Sequence, residues 1–177
     1  MSLPEAPPFV LPVASVLYGH REDLAAASEC LCAEFGEAVL QSGEFAFDMT
    51  NYYQQEMGTG ILRVWLCFNP LADPSELSVW KKKSIRIEDK FGGEGKRRVN
   101  IDPGYLDHSK LVLASCKAAP DKIYVGSGVY AHMCLRYRSG EFHAPGHSFA
   151  DFQDGRFNCF FGEARIIYRD LLRKARH

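Results

Sequence analysis

Apolar and polar positions along the chain alternate in two rhythms, one near 3.6 residues and one of two, and their succession outlines a fold. "PVASVLYG" is a short apolar run that predicts a buried strand. In "REDLAAASECLCAEFG" the apolar stripe Leu24, Ala27, Leu31 and Phe35 predicts a helix that stops at Gly36. "GEFAFDM" sets Phe45, Phe47 and Met49 against Ala46 and Asp48, the alternation of a strand. "GILRVWLCFN" is almost continuously apolar, as a central strand covered on both faces is. "DPSEL" opens the next helix, with Asp73 as cap, Pro74 at the first helical position and Glu76 closing a capping box. Leu77, Trp80, Ile87 and Phe91 continue it until "FGGEG" ends it, and "RRVNI" begins another strand.

This order, β-α-β-β-α-β, is the split βαβ pattern of a ferredoxin-like sheet, expected over about residues 10–107. Residues from about 108 to 177 add a strand, "KLVLASCK", and a hairpin, "KIYVGSGVYAHMCLRYRSGEF", turned at Gly126-Ser127-Gly128. A looser stretch leads to a last helix with Ala164, Ile167, Tyr168, Leu171 and Leu172 inward and Arg165, Arg169 and Arg173 in a basic row. The expectation is a single α+β domain over residues 1–177: a ferredoxin-like βαββαβ core, a C-terminal β-hairpin extension and a last helix.

Composition narrows the class. With 177 residues, 46% hydrophobic and 24% charged, the chain suits one globular domain with a real core. Its apolar runs are too short to span a bilayer, and its opening residues lack a basic region ahead of an apolar one, so a cytoplasmic protein without membrane contact is expected. The six cysteines have no zinc-knuckle spacing, and Cys67, Cys116 and Cys134 fall inside apolar strand patterns, which favours reduced structural thiols. Net charge is −1, but residues 1–60 hold nine acids against Arg21 alone, and the basic residues gather in Lys81 to Arg98 and Arg165 to Arg176. Basic faces that complement the acidic part are the plainer account; an anionic partner is the sharper one.

Three stretches carry candidate chemistry. In "RRVNIDPGYLD", alternation puts Arg98, Asn100 and Asp102 opposite Val99 and Ile101, and Pro103-Gly104 predicts a type II turn ending the strand. The turn alone accounts for Asp102; it does not account for three polar groups on one face. These suit a phosphate (Arg98), a base or sugar (Asn100) and a proton or metal (Asp102), with Tyr105 beside them. "FDMTNYYQQEMG" supplies Asp48, Asn51, Tyr52 for stacking, and Glu56 as a second carboxylate for acid-base work. Lys117 closes "KLVLASCK" as a point charge for phosphate. His132 shares a face with Tyr130, Cys134 and Arg136, a setting commoner for a structural histidine than for a catalyst. His143, His147 and Asp151 have helical spacing, but Pro145 and Gly146 break that helix, so no metal site is assigned. No phosphate loop, dinucleotide fingerprint or nucleophile elbow occurs, and no motif names a cofactor.

With these stretches in order, the chain resembles, over nearly its whole length, a bacterial family catalogued as domain of unknown function 4416. The stretches that carry the resemblance are "FDMTNYYQQEMG", "GKRRVNIDPGYLDHSKLVLASCK" and "KIYVGSGVYAHMCLRYRSGEF". It implies a small cytoplasmic protein without an established activity. The chain departs from the family pattern at His132, where a glutamate is usual after "YA", and at "HSFADF", where "WTYPDY" is usual. A role of that glutamate would be altered here, whereas a site of Asn100, Asp102 and Lys117 would not. The leading expectation is a protein that binds or acts on a small anionic, phosphate-bearing or nucleotide-like ligand between "TNYYQQE" and "VNIDPGY". A nucleic-acid-binding accessory and a scaffold subunit without catalysis are the alternatives.

Overall fold

The structure, a computed structural model, describes residues 3–50, 52–93 and 96–175. In chain order its strands are Leu11–Tyr18 (β1), Glu37–Gln41 (β2), Phe45–Ala46 (β3), Leu62–Asn69 (β4), Val99–Leu106 (β5), Lys110–Ser115 (β6), Ile123–Gly126 (β7), Val129–Arg138 (β8) and Glu141–His143 (β9). The helices are Arg21–Phe35 (α1), Gln54–Met57 (α2), Leu77–Phe91 (α3), Ala150–Gln153 (α4) and Asn158–Lys174 (α5). The strands form one antiparallel sheet in the order β2-β4-β1-β5-β6-β8-β7, with β3 added to β4 and β9 to β8. The fold is α+β.

Every residue of β1 is buried because the sheet is covered on both faces. On one face Ala27, Leu31 and Phe35 of α1 and Leu77, Trp80 and Ile87 of α3 pack on Ala14, Val16, Val64 and Leu66. On the other, Phe152 of α4 and Phe160, Phe161, Ala164 and Tyr168 of α5 pack on Leu11, Val13, Trp65 and Cys67. Trp65 is the hub there, with the Phe152, Phe157 and Phe161 rings edge-on at 5.7, 5.4 and 5.0 Å. No helix among the described residues is long and apolar enough to cross a membrane.

Several expectations need correction. The second strand is "EAVLQ", β2, which starts directly after Gly36; "GEFAFDM" contributes only the two residues of β3. Half-buried β2 has a register shift between Ala38 and Leu40, which blurs its alternation. Asp73 caps as expected by accepting from the Ser75 amide, but Glu76 closes no capping box and instead accepts from Trp80 Nε1 at 3.1 Å. The hairpin turns where expected, and a further turn at Ser139-Gly140 returns the chain as β9. Cys67 and Cys134 are buried free thiols, whereas Cys116 lies past the end of β6 and is exposed.

The largest correction concerns "RRVNIDPGYLD". No turn interrupts it: β5 runs through Pro103 and Gly104 and pairs with β1 from Leu11↔Leu106 to Tyr18↔Val99. Nor is β5 an edge, because the sheet continues through β6. A proline fits inside this strand because its missing N–H falls where no partner strand needs it.

Candidate functional site

The site begins as a gap in the sheet. Although β5 pairs with β1 along its length, it pairs with β6 only at Gly104↔Leu113, Tyr105↔Val112 and Leu106↔Leu111. Beyond Gly104 the two strands part, and β6 continues to Ser115 beside β8 alone. At the point of parting the backbones nearly touch, since a Cβ on Gly104 would stand 2.0 Å from the Val112 carbonyl oxygen. Only glycine tolerates such an approach.

Parting leaves the gap side of β5 without a ladder partner, and helix α3 supplies one. Lys81 Nζ donates to the Ile101 carbonyl at 2.8 Å, and a Glu88 carboxylate oxygen accepts from the Ile101 amide. Two side chains thus replace a missing strand and spare the cost of unpaired buried backbone groups. Because backbone groups alternate in direction along a strand, the Pro103 nitrogen also points into the gap, where its lack of a proton breaks no ladder.

A cavity of about 1000 Å³ lies over this gap. Its floor is a charged chain. Lys81 Nζ reaches Asp102 Oδ1 at 2.9 Å, Asn100 Nδ2 donates to Asp102 Oδ2 at 2.9 Å, Arg97 donates to Asn100 Oδ1, and Arg97 Nε pairs with Glu56 at 3.3 Å. Burial alone would raise the Asp102 pKa, but Lys81, Arg63 and Asn100 outweigh it and hold the carboxyl below its usual range. Burial opposes charge on Lys81 as well; the Asp102 and Glu88 carboxylates prevail and hold its ammonium above the usual value. At Glu88 burial wins, and its carboxyl is raised.

One wall holds a buried arginine. Arg63, on β4, is 6% exposed and pairs with Asp151 of α4 at 2.7 Å. Its guanidinium also lies 5.1 Å from the Phe47 ring and 5.3 Å from the Trp65 ring. A buried cation needs such company, because losing water costs several kcal/mol unless charge and π-faces replace it. Burial still lowers the Arg63 pKa and raises that of Asp151, each opposed by the other.

At another side of the cavity stand Tyr52, Ser115, Lys117, Lys122, His132 and Phe149. Lys117 Nζ sits 3.6 Å from the centre of the Tyr52 ring. Lys122 Nζ donates to Ser115 Oγ at 2.7 Å and to the Lys117 carbonyl at 3.2 Å. Burial, with Lys117 and Lys81 nearby, lowers the Lys122 pKa. Unlike Arg63, Lys81 and Arg97, neither lysine makes an ion pair among the described residues.

Over residues 8–168 the sequence matches the family profile described as Domain of unknown function (DUF4416). The chain belongs to the DUF4416 family. No curated protein and no solved structure matches it. All residues lining the cavity fall inside the DUF4416 span.

Of the residues singled out in the DUF4416 sequence, the fold brings Tyr52, Glu56, Asn100, Asp102, Lys117 and His132 to one cavity. Three others point elsewhere. Arg98 precedes β5 and grips Asp23 of α1 with contacts of 2.6 and 3.2 Å, so Arg97 takes the place beside Asn100 that alternation gave to Arg98. Tyr105 packs against the core shared with α1 and α3. Asp48 pairs with Arg156 at 3.3 Å. Asn51 lies outside the described residues. Sequence reasoning missed Arg63, Lys81, Glu88, Lys122 and, as a partner of Arg63, Asp151. Two signals pointed to them: a charge inside the apolar run "GILRVWLCFN", and Lys81 and Glu88 seven residues apart on one helix face. Among the described residues no group of three His, Cys, Asp or Glu is placed to hold a metal ion.

Proposed function

We propose that the cavity binds a small anionic ligand, with a phosphate group at Lys117 and Lys122. The observation that carries this reading is a charge imbalance: Arg63, Lys81 and Arg97 on floor and wall have carboxylate partners, while these two lysines have none among the described residues. They also crowd each other, and an anion between them offsets both the repulsion and the cost of desolvating Lys122. The exposed rings of Tyr52 and Phe149 stand beside them, Tyr52 under Lys117 and Phe149 near Lys122. Asp102 and Glu56, the candidate acid-base carboxylates, are engaged by Lys81, Asn100 and Arg97, which suits fixed acceptors that orient a ligand better than proton carriers.

The strand order β2-β4-β1-β5, crossed by α1 and α3, supports a ferredoxin-like core as the platform for this site. Six free thiols favour the reducing cytoplasm. Nucleic-acid binding has less support, because basic residues are spent internally: Lys83 on Glu34, Arg97 on Glu56, Arg98 on Asp23 and Arg156 on Asp48.

Thermal shift tests the reading. Phosphate-bearing probes at about 100 times their Kd stabilise a binder by about 2.7 kcal/mol. That corresponds to a Tm rise of about 5–10 °C for a domain of this size. Unphosphorylated analogues shift it less, and Lys117→Ala with Lys122→Ala removes the phosphate-dependent part. An equal shift in the double variant, or none with any phosphate probe, overturns the reading.

A further inference from the structure

The same cavity is lined by a second set of side chains whose polar atoms lack hydrogen-bond partners among the described residues. Ser15 is 1% exposed and His132 is 3% exposed, and both line the cavity with Arg63. Ser15 Oγ, Arg63 Nε and both ring nitrogens of His132 have no hydrogen-bond partner among the described residues. Buried polar atoms are paired in the great majority of cases, and each left unmade costs about 1–3 kcal/mol. These three side chains, on the separate strands β1, β4 and β8, line one cavity, and a molecule seated there is the partner within reach of all three.

Their chemistry describes that occupant. Arg63 Nε only donates, a serine hydroxyl donates and accepts, and a neutral imidazole does one of each. Burial, Lys122 and His147 outweigh Asp121 and lower the His132 pKa, which favours the neutral ring. The charge of Arg63 is already matched by Asp151. The inner subsite therefore offers donors and acceptors without uncompensated charge, and its complement is an uncharged polar group. Flat surfaces stand next to it: the Phe149 ring is centred 4.9 Å from that of His132 and is 45% exposed, with Phe47 and Phe152 on the wall. An exposed aromatic ring beside hydrogen-bonding groups suits a planar heterocycle, which can stack on the ring while its edge meets the polar groups.

Resting on the anion-binding reading, we infer that the ligand is a nucleoside phosphate whose neutral base enters the inner subsite, where His132 and Ser15 read its edge. The phosphate stays at Lys117 and Lys122.

Calorimetry on the full chain separates the two claims, using the four common nucleoside 5′-monophosphates, their nucleosides, ribose 5-phosphate and inorganic phosphate. At least one nucleotide is expected to bind tenfold or more tighter than ribose 5-phosphate. His132→Phe and Ser15→Ala erase that advantage while leaving ribose 5-phosphate within about twofold. The unliganded His132→Phe variant is expected to melt no lower than the parent, because it deletes an unmet polar group. His132→Asn, which retains a donor and an acceptor, serves as a second variant and keeps part of the advantage. Nucleosides that bind as tightly as nucleotides sink the phosphate reading alone. Phosphates that bind with equal strength whatever they carry, or a nucleotide preference untouched at His132, sink the base subsite alone. Binding of no probe sinks both.

Discussion

Replacing Lys81 by methionine tests whether helix α3 stands in for the absent strand beside β5. Methionine keeps the length and apolar stem of lysine but can donate to neither the Ile101 carbonyl nor Asp102, which Lys81 meets at 2.8 and 2.9 Å. An orphaned carbonyl costs about 1–3 kcal/mol. Breaking a fully buried ion pair costs about 3–5 kcal/mol. Asp102 is 30% exposed at its side chain, so water recovers part of that second loss and the two are not additive. The expected loss is about 3 kcal/mol, a large share of a total near 5–15 kcal/mol. Urea unfolding at pH 7, followed by tryptophan fluorescence, reads it as a lower midpoint with an unchanged slope. Glu88→Gln keeps an acceptor for the Ile101 amide and is expected to lose less than about 1 kcal/mol. If Lys81→Met loses less than about 1 kcal/mol, the backbone of Ile101 is satisfied by other means and the strand-replacement argument fails.

Three further outcomes follow from the geometry. Gly104→Ala places a methyl 2.0 Å from the Val112 oxygen, so β5 and β6 must move apart; a loss of about 2 kcal/mol or more in chemical denaturation is expected. Asp151→Leu leaves the Arg63 charge buried without its carboxylate and costs about 3–5 kcal/mol, and adding Arg63→Met recovers most of it; a double-mutant cycle that shows simple additivity contradicts this. Because the folded pKa of Asp102 lies below its unfolded value of about 4, its contribution is complete above that pH and fades as pH falls through the folded value. Stability of the parent therefore drops on acidification more steeply than that of Asp102→Asn, and parallel acid limbs in a pH series of melts refute it.

Much of the framework was legible where a single period dominates. The stripes of α1, α3 and α5 and the apolar runs of β1 and β4 stand where periodicity puts them. What escaped depends on distant partners. Pro103-Gly104 looks like a turn locally, and only the parting of β6 makes a proline acceptable and a glycine necessary inside a strand. Asn100 and Asp102 share a face, as alternation predicts, because alternation is local. Lys81 reads in sequence as one of a basic run, since its partner Ile101 is twenty residues away and across a layer. Arg98 escapes the alternation because β5 begins one residue after it, so its side chain turns to Asp23 instead.

The tertiary amide nitrogen of Pro103 bears on how durable the cavity is. An opening between two neighbouring strands is normally metastable: nothing stops them from zipping together, each new rung drawing in the next. Here the rung that would follow Gly104 lacks its proton, and the one at Ile101 is already occupied by the α3 side chains. The cleft is thus secured by covalent structure at its apex and by a helix along its flank. Side chains lining it can be exchanged for others without the sheet closing over them.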